Sequence, residues 1–568
     1  MPEQRNLMIA MVLMIAILFG YYLLVPQPKP QQPAQTVSTE APATAGSTAP
    51  SAPGAMPAAP APLDREAALA RDPRVKIEAP RVSGSISLEG GRIDDVALVD
   101  YHETVDQTSP RIELLSPLGT RAAYYTQTGW VASSNDVKLP GADTVWTPAD
   151  DRPLSPEHPV TLTWDNGQGL VFERQISIDA NYMFTVTDKV SNTGDAAVTL
   201  YPYSLVSRSG TPQTLGYYIL HEGPLGVVDG TLKEYKYDDL AEQRQPVSAT
   251  STGGWFGITD KYWLAAVIPD QSEAVTARFG HSVVGNTPKY QVDYLGTARE
   301  VAPGATASTV SRVFAGAKEL DVLDGYGDAL GIKNFDLAID FGWFYFLTKP
   351  IFLVLLWIEG IVGNLGISIL ILTLLTKALF FPLANKSYVA MSKMKKLQPE
   401  LVKLRDRYKD DKVRLNQEMM GLYKKEKVNP AAGCLPILVQ IPVFFALYKV
   451  LFVTIEMRHK PFFGWIHDLS APDPLYITNL FGLLPYTPPH FLAIGIWPVL
   501  MAFTMFLQQK LNPAPADPTQ AKIMMFLPVM FLFLFAGFPA GLVIYWTWNN
   551  LLSIGQQWLI MRRMGVKV

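Results

Sequence analysis

The sequence predicts a polytopic α-helical membrane protein of six spans that carries a large β-sandwich domain outside the membrane. Three observations predict it. The 568 residues are 48% hydrophobic and only 17% charged, with mean hydropathy +0.12, whereas a soluble chain carries about 25% charged residues. Charge is divided: residues 26–340 hold 24 Lys+Arg against 39 Asp+Glu, and the remainder holds 24 against 12. An acidic body is thus joined to a basic, apolar one. The pattern also changes from an apolar run to period two, and then to long apolar runs. The overall net charge of −3 gives no global nucleic-acid footprint. The single cysteine, Cys434, allows no intrachain disulfide and no Cys-based metal site.

Residues 1–25 read as an N-terminal anchor. Leu7–Val25 is 19 residues without a charge, preceded by Arg5, enough to span about 30 Å at about 1.5 Å per residue. A cleaved signal would have a shorter apolar region closely followed by a small-x-small site. Here the first Ala-x-Ala, Ala41-Pro42-Ala43, lies far downstream. The anchor is therefore expected to stay, with its N-terminus in the cytoplasm. Residues 26–62 contain ten prolines and read as an extended tether.

Residues 63–340 are assigned to the sandwich. Leu170–Ile178, Tyr182–Val190, Ala197–Val206, Tyr290–Leu295 and Thr309–Phe314 alternate as half-buried strands do. Turn signals such as Asn192-Thr193-Gly194-Asp195 separate them. The histidines of this region, His102, His158, His221 and His281, have no metal or triad spacing.

Residues 341–364 are apolar and aromatic but interrupted by Lys349-Pro350 and Glu359. Parity decides their place. The segment 384–431 is a charged helical hairpin by its 3, 4, 3, 4 spacing of Met394, Leu397, Leu401, Leu404 and Tyr408. With 13 Lys+Arg against 6 Asp+Glu up to residue 432, it belongs in the cytoplasm. One crossing must then separate the outer domain from it, so 341–364 is read as an amphipathic helix in the outer interface. Pro399 is expected to kink the first hairpin helix or to mark its start.

The remaining spans fall near 365–383, 434–453, 491–507, 523–538 and 540–560, with both termini inside. Their polar residues recur at helical spacing. Thr373 and Lys377 share a face, as do Gln440, Phe444 and Tyr448, and Thr504 with Gln508. Tyr545, Asn549, Ser553 and Gln556 form a stripe flanked by Trp546. Such stripes face a bundle interior or a wet cavity, or they bond helices together. The candidate groove set is Lys377, Thr373, Gln440, Tyr448, Thr504, Gln508, Tyr545, Trp546 and Asn549. Lys377 has no acidic residue in any neighbouring span. Two readings of it stay open: snorkelling to the inner surface, about 9 Å away by helical rise, or a charged, water-filled cavity open to the cytoplasm.

No Walker loop or Asp-Lys-Thr phosphorylation motif occurs in the cytoplasmic segments, which argues against an ATP-driven pump. A secondary transporter is the alternative, but there is no internal repeat and no coupling Asp or Glu in a span. An anchored sugar-modifying enzyme would leave five spans unexplained.

Several stretches carry a resemblance. They are Lys377 to Pro382-Leu383, Tyr423-Lys424-Lys425-Glu426-Lys427-Val428-Asn429-Pro430, Gly433-Cys434-Leu435-Pro436 with Gln440-Ile441-Pro442, Trp465-Ile466-His467-Asp468-Leu469-Ser470, and Pro539-Ala540-Gly541-Leu542. With them the chain resembles the YidC-type membrane protein insertases, a bacterial family with mitochondrial and chloroplast relatives. The tether and acidic β-domain fit the Gram-negative form. The resemblance implies an inner-membrane protein with a periplasmic β-domain similar to sugar-binding sandwiches. It implies a five-helix insertase core over 365–568, and a hydrophilic groove closed outward with a positive residue in the second span. That residue is commonly Arg and here is Lys377; Tyr545-Trp546 stands where two tyrosines are common. The implied activity is insertion or chaperoning of newly made membrane proteins, with no covalent chemistry and no cofactor. The implied partners are nascent membrane proteins, the Sec translocon with its accessory subunits, the lipid bilayer and the ribosome, the last through the hairpin. The tail after Ile560 is short, so no long basic ribosome-binding extension is expected.

Overall fold

Alternation of buried and exposed side chains builds two antiparallel sheets between Arg74 and Ala317. The computed structural model describes residues 62–565 apart from 135, 216–219, 244, 409–410, 427, 429–434, 487, 490–491 and 513–517. The expected anchor 1–25, the tether up to residue 61 and Cys434 lie outside the described residues.

Among the described residues the sheets have ten and nine strands. The first runs Arg74–Glu78, Val82–Ser87, Arg92–His102, Tyr124–Ala132, Val198–Ser209, Thr287–Leu295, Ala274–Val284, Val247–Thr252 along its main path. The second places Thr306–Ala317 beside Met183–Asn192 and Leu170–Ile178 at its centre. Leu170–Ile178 shows why the strand forms: Leu170, Phe172, Arg174, Ile176 and Ile178 point inward and the residues between them do not. Phe172, Phe184, Trp255, Phe256, Phe279 and Phe314 fill the space between the sheets, all under 2% exposed. Each buried aromatic contributes roughly 1.5–3 kcal/mol.

The inward arginine is satisfied. Arg174 Nε donates to Asp188 Oδ1 at 2.6 Å, and its two terminal nitrogens donate to the carbonyls of Gly91 and Thr128 at 3.0 and 2.6 Å. Thr128 belongs to the other sheet, so one guanidinium ties the layers together.

Among the described residues, this domain has the α-helices α1 (Arg65–Arg71), α2 (Tyr237–Ala241) and α3 (Leu320–Leu330). The helical core follows as α4 (Tyr345–Val362), α5 (Leu365–Leu379), α6 (Phe381–Arg407), α7 (Lys412–Lys425), α8 (Leu435–Val453), α9 (Ile496–Leu511), α10 (Pro518–Ala536) and α11 (Ala540–Arg563). Gly363, at φ +71°, ends α4, and the Asn364 side chain accepts from Ile367 N–H at 3.0 Å to start α5.

Several helix bounds differ from the sequence reading. The span read as 365–383 stops at Leu379, and the chain bends by 69° into α6. Pro382 explains the break. It has no N–H to offer the carbonyl four residues back, and its ring would clash there. Pro399 neither starts nor ends α6, which runs through it. The span read from 491 begins at Ile496, after a bridge between Tyr476 and Gly495; the one read from 523 begins at Pro518. α4 is the one described single helix long and apolar enough to cross a membrane.

The sandwich is fastened to the helical core by ion pairs and buried contacts. Lys349 of α4 donates to Asp324 and Asp336 at 2.9 and 2.8 Å. Lys449 of α8 pairs with Asp340 at 2.7 Å. Beyond α8, Glu456 accepts from Leu320 N–H at 3.2 Å, and Arg458 donates to the His102 carbonyl at 2.6 Å. The outer end of α8 therefore lies on the sandwich side of the core.

Candidate functional site

The break at Pro382 positions the site. Because α6 leaves α5 at a steep angle, its first turns swing in front of α8 and α11. Phe380, Leu383, Ala384 and Tyr388 then form one wall of an open groove of about 380 Å³. Gln440, Ile441 and Phe444 come from α8, Gln508 from α9, and Tyr545, Trp546, Asn549 and Ser553 from α11.

Lys377 reaches into this groove from α5. Its Nζ donates to Ser553 Oγ at 2.8 Å, and Ser553 Oγ in turn donates to the Asn549 carbonyl at 2.8 Å. Lys189, Lys349, Lys449 and Lys460 pair with carboxylates, whereas the described partner of Lys377 is this hydroxyl. A neutral hydroxyl is a ligand for the ammonium but does not cancel its charge.

Depth follows from the helix ends. Gly366, on the first turn of α5, faces Phe462, whose ring would lie 2.1 Å from an added Cβ. Ala540 and Gly541 at the start of α11 donate to the carbonyls of Ala471 and Leu469 at 2.8 and 2.9 Å. Both helices thus start beside the loop after α8. Lys377 stands twelve residues along α5 and Ser553 thirteen along α11, about 18 and 20 Å from those starts. Between the groove and the sandwich side lies an aromatic plug. Trp546 packs edge-on against Phe444 and Phe535 at 4.6 and 4.7 Å, and Tyr448 stacks between Phe444 and Phe452. The plug thus separates the polar part of the groove around Lys377 from the sandwich side.

Six of the nine residues predicted for the groove line it: Lys377, Gln440, Gln508, Tyr545, Trp546 and Asn549. Three do not. Thr373 is buried and bonds the Ile369 carbonyl of its own helix at 2.7 Å. Tyr448 is in the aromatic plug. Thr504 bonds the Met501 carbonyl and accepts from Asn550 at 3.2 Å, joining α9 to α11. Sequence reasoning marked Ser553 in the polar stripe but left it out of the groove set. It missed the α6 wall entirely, and the only signal for that wall was Pro382.

Residues 74–354 match the family described as the YidC periplasmic domain, and residues 357–567 match the 60Kd inner membrane protein family. The membrane protein insertase YidC of Methylorubrum extorquens is 54% identical, covering 100% of this chain and 96% of that one. The same-named protein of Bradyrhizobium diazoefficiens is 52% identical over 100% of this chain and 97% of its own length. A crystal structure of an active YidC insertase is similar at 17% identity and TM-score 0.36, covering 85% of this chain and 91% of that chain.

Proposed function

The chain belongs to the YidC family of membrane protein insertases, and from that premise we propose that the Lys377 groove is where a client segment passes from water into lipid. The chain is an inner-membrane insertase with a periplasmic domain. Insertion breaks no covalent bond; its drive is burial of the client's apolar residues, about −0.3 to −0.6 kcal/mol for each Leu, Ile, Phe or Val at mid-membrane. The obstacle is the polar flank that crosses with them. The observation that carries the proposal is the uncancelled charge of Lys377 in a groove that the aromatic plug separates from the side of the periplasmic domain. Such a charge holds water in the groove and attracts acidic flanks. The short helices support a thinned bilayer beside it: α5 has 15 residues and α9 has 16, whereas spanning takes about 20.

The orientation we infer keeps the six-span reading, with both termini cytoplasmic and α4 lying along the periplasmic interface. Contacts at both ends of α4 support this. Lys349 near its start pairs with Asp324 and Asp336 of the periplasmic domain. Glu359 near its end pairs with Lys460, two residues beyond Arg458, which bonds His102 of that same domain. A helix of 18 residues is about 27 Å long. Crossing would put its two ends on opposite sides, whereas both meet periplasmic groups. The basic α6–α7 hairpin supports a cytoplasmic docking role toward ribosomes, and cooperation with the Sec translocon is part of the same proposal. No described feature favours the secondary-transporter reading.

Reconstitution of the purified chain alone, in liposomes with a small single-span client, tests the proposal. Protected, correctly oriented client is expected. Insertion no better than in empty liposomes, for several clients, would sink autonomous insertion.

A further inference from the structure

A second cavity, of about 640 Å³, opens where the periplasmic domain meets the helical core. We propose that it binds the headgroup of a zwitterionic aminophospholipid from the periplasmic leaflet. The proposal rests on the orientation inferred above, which puts the outer end of α8 at that leaflet.

The cavity is divided by chemistry. One side carries Glu234, Lys236 and Asp239 of the sandwich, together with Asp340 and Lys449. The other is aromatic, with Trp343 and Phe344 ahead of α4 and Phe445 on α8. Trp343 is 79% exposed and Phe445 44% exposed. Large aromatics exposed at a membrane junction suit the interfacial zone. Lys449 and Phe445 are four residues apart, hence on one face of α8. Lys449 is about 6 Å and Phe445 about 12 Å below the outer end of that helix at Val453. A cation at headgroup depth above an exposed ring at acyl depth follows the order of a phospholipid.

The polar side is built rather than incidental. Asp340 pairs with Lys449 at 2.7 Å and also accepts from the backbone of His221 and Gly342 at 3.1 Å. Gly342 has φ +71°, and a Cβ there would lie 2.8 Å from Lys449 Cε. The chain has made room for that lysine to lie against the backbone. Cations and carboxylates in one cavity match a ligand that carries both signs. Lys236 suits the phosphate, Lys449 being already paired with Asp340, and Asp239 suits the ammonium together with Glu234, whose carboxyl burial pushes up to about 7. An anionic headgroup would bring no ammonium to Glu234 and Asp239.

The test uses the full chain in nanodiscs with photo-activatable phosphatidylethanolamine or phosphatidylglycerol, and maps the labelled peptides. The ethanolamine lipid should label residues 337–349 and 443–451 more than the glycerol lipid does. The double variant Glu234→Gln/Asp239→Asn should lower that labelling roughly fivefold. Labelling of the lipid-exposed α10 around Phe526 should stay unchanged, which separates loss of the site from loss of membrane embedding. Excess soluble glycerophosphoethanolamine should lower that labelling more than glycerophosphoglycerol does. Equal labelling by both lipids, no effect of the double variant, or equal competition by the two soluble headgroups would each overturn the proposal.

Discussion

Lys377 and Ser553, 176 residues apart in the chain, meet through a 2.8 Å hydrogen bond from Nζ to Oγ. The bond orients the ammonium and leaves its charge in place. Ser553→Ala should keep insertion within about threefold of wild type, because water can replace the hydroxyl. Ser553→Asp should neutralise the groove and lower insertion of an acidic-flanked client by roughly tenfold or more. A liposome insertion assay at equal expression reads both. Wild-type insertion by the aspartate variant would mean that the groove's net charge does not matter.

The place of α4 is open to a depth measurement. Nitroxide labels at Trp343, Leu353 and Ile361, all exposed on the described surface, should report similar shallow depths if the helix lies in the interface. A crossing helix would place Leu353 near the bilayer centre, deeper than both others.

Glu456 gives the junction between domain and core a pH dependence. Burial, the largest influence, pushes its carboxyl up to about 7, and its Oε2 is buried without a partner. The folded value lies above the unfolded one, near 4.5. Its contribution is thus fully present below about pH 4.5 and is lost as pH rises through about 7, by on the order of 1–3 kcal/mol. Thermal unfolding or proteolysis at the junction between pH 5.5 and 8 should show that loss. Glu456→Gln should flatten the profile; an unchanged profile would assign the dependence to another group.

Deleting the sandwich strands, residues 74–317, while keeping α3 and α4 should leave insertion largely intact, since every residue lining the groove lies beyond residue 376. The melting temperature should fall, because the bond from Arg458 to His102 and the contact of Lys261 with Phe452 are lost. A stably expressed deletion that inserts nothing would contradict this division of labour.

Much of this was legible in the sequence where one physical signal dominates. Period-two burial marks Leu170–Ile178 end to end, and charged or amide groups in apolar runs mark Lys377, Gln440, Gln508 and Asn549. Hydroxyls are harder to read. Thr373 and Thr504 satisfy themselves on their own helix backbone, and nothing in their spacing tells such a bond from a groove contact. Tyr448 falls on the same helix face as Gln440, but two turns along that face lead from the groove into the aromatic plug. The α6 wall depended on a bend, and a proline at a helix junction gives the position of a break without its angle.

The most direct test of the account replaces Lys377. Acidic-flanked and neutralised versions of one single-span client would be inserted into liposomes by wild type and by Lys377→Arg, Lys377→Ala and Lys377→Glu at equal expression. Arg should be nearly neutral, since it keeps the charge. Ala should reduce insertion of the acidic client and Glu should reduce it further, with the neutral client less affected throughout. If Ala matches wild type for the acidic client, Lys377 is only a snorkelling anchor and the electrostatic account of the groove is wrong.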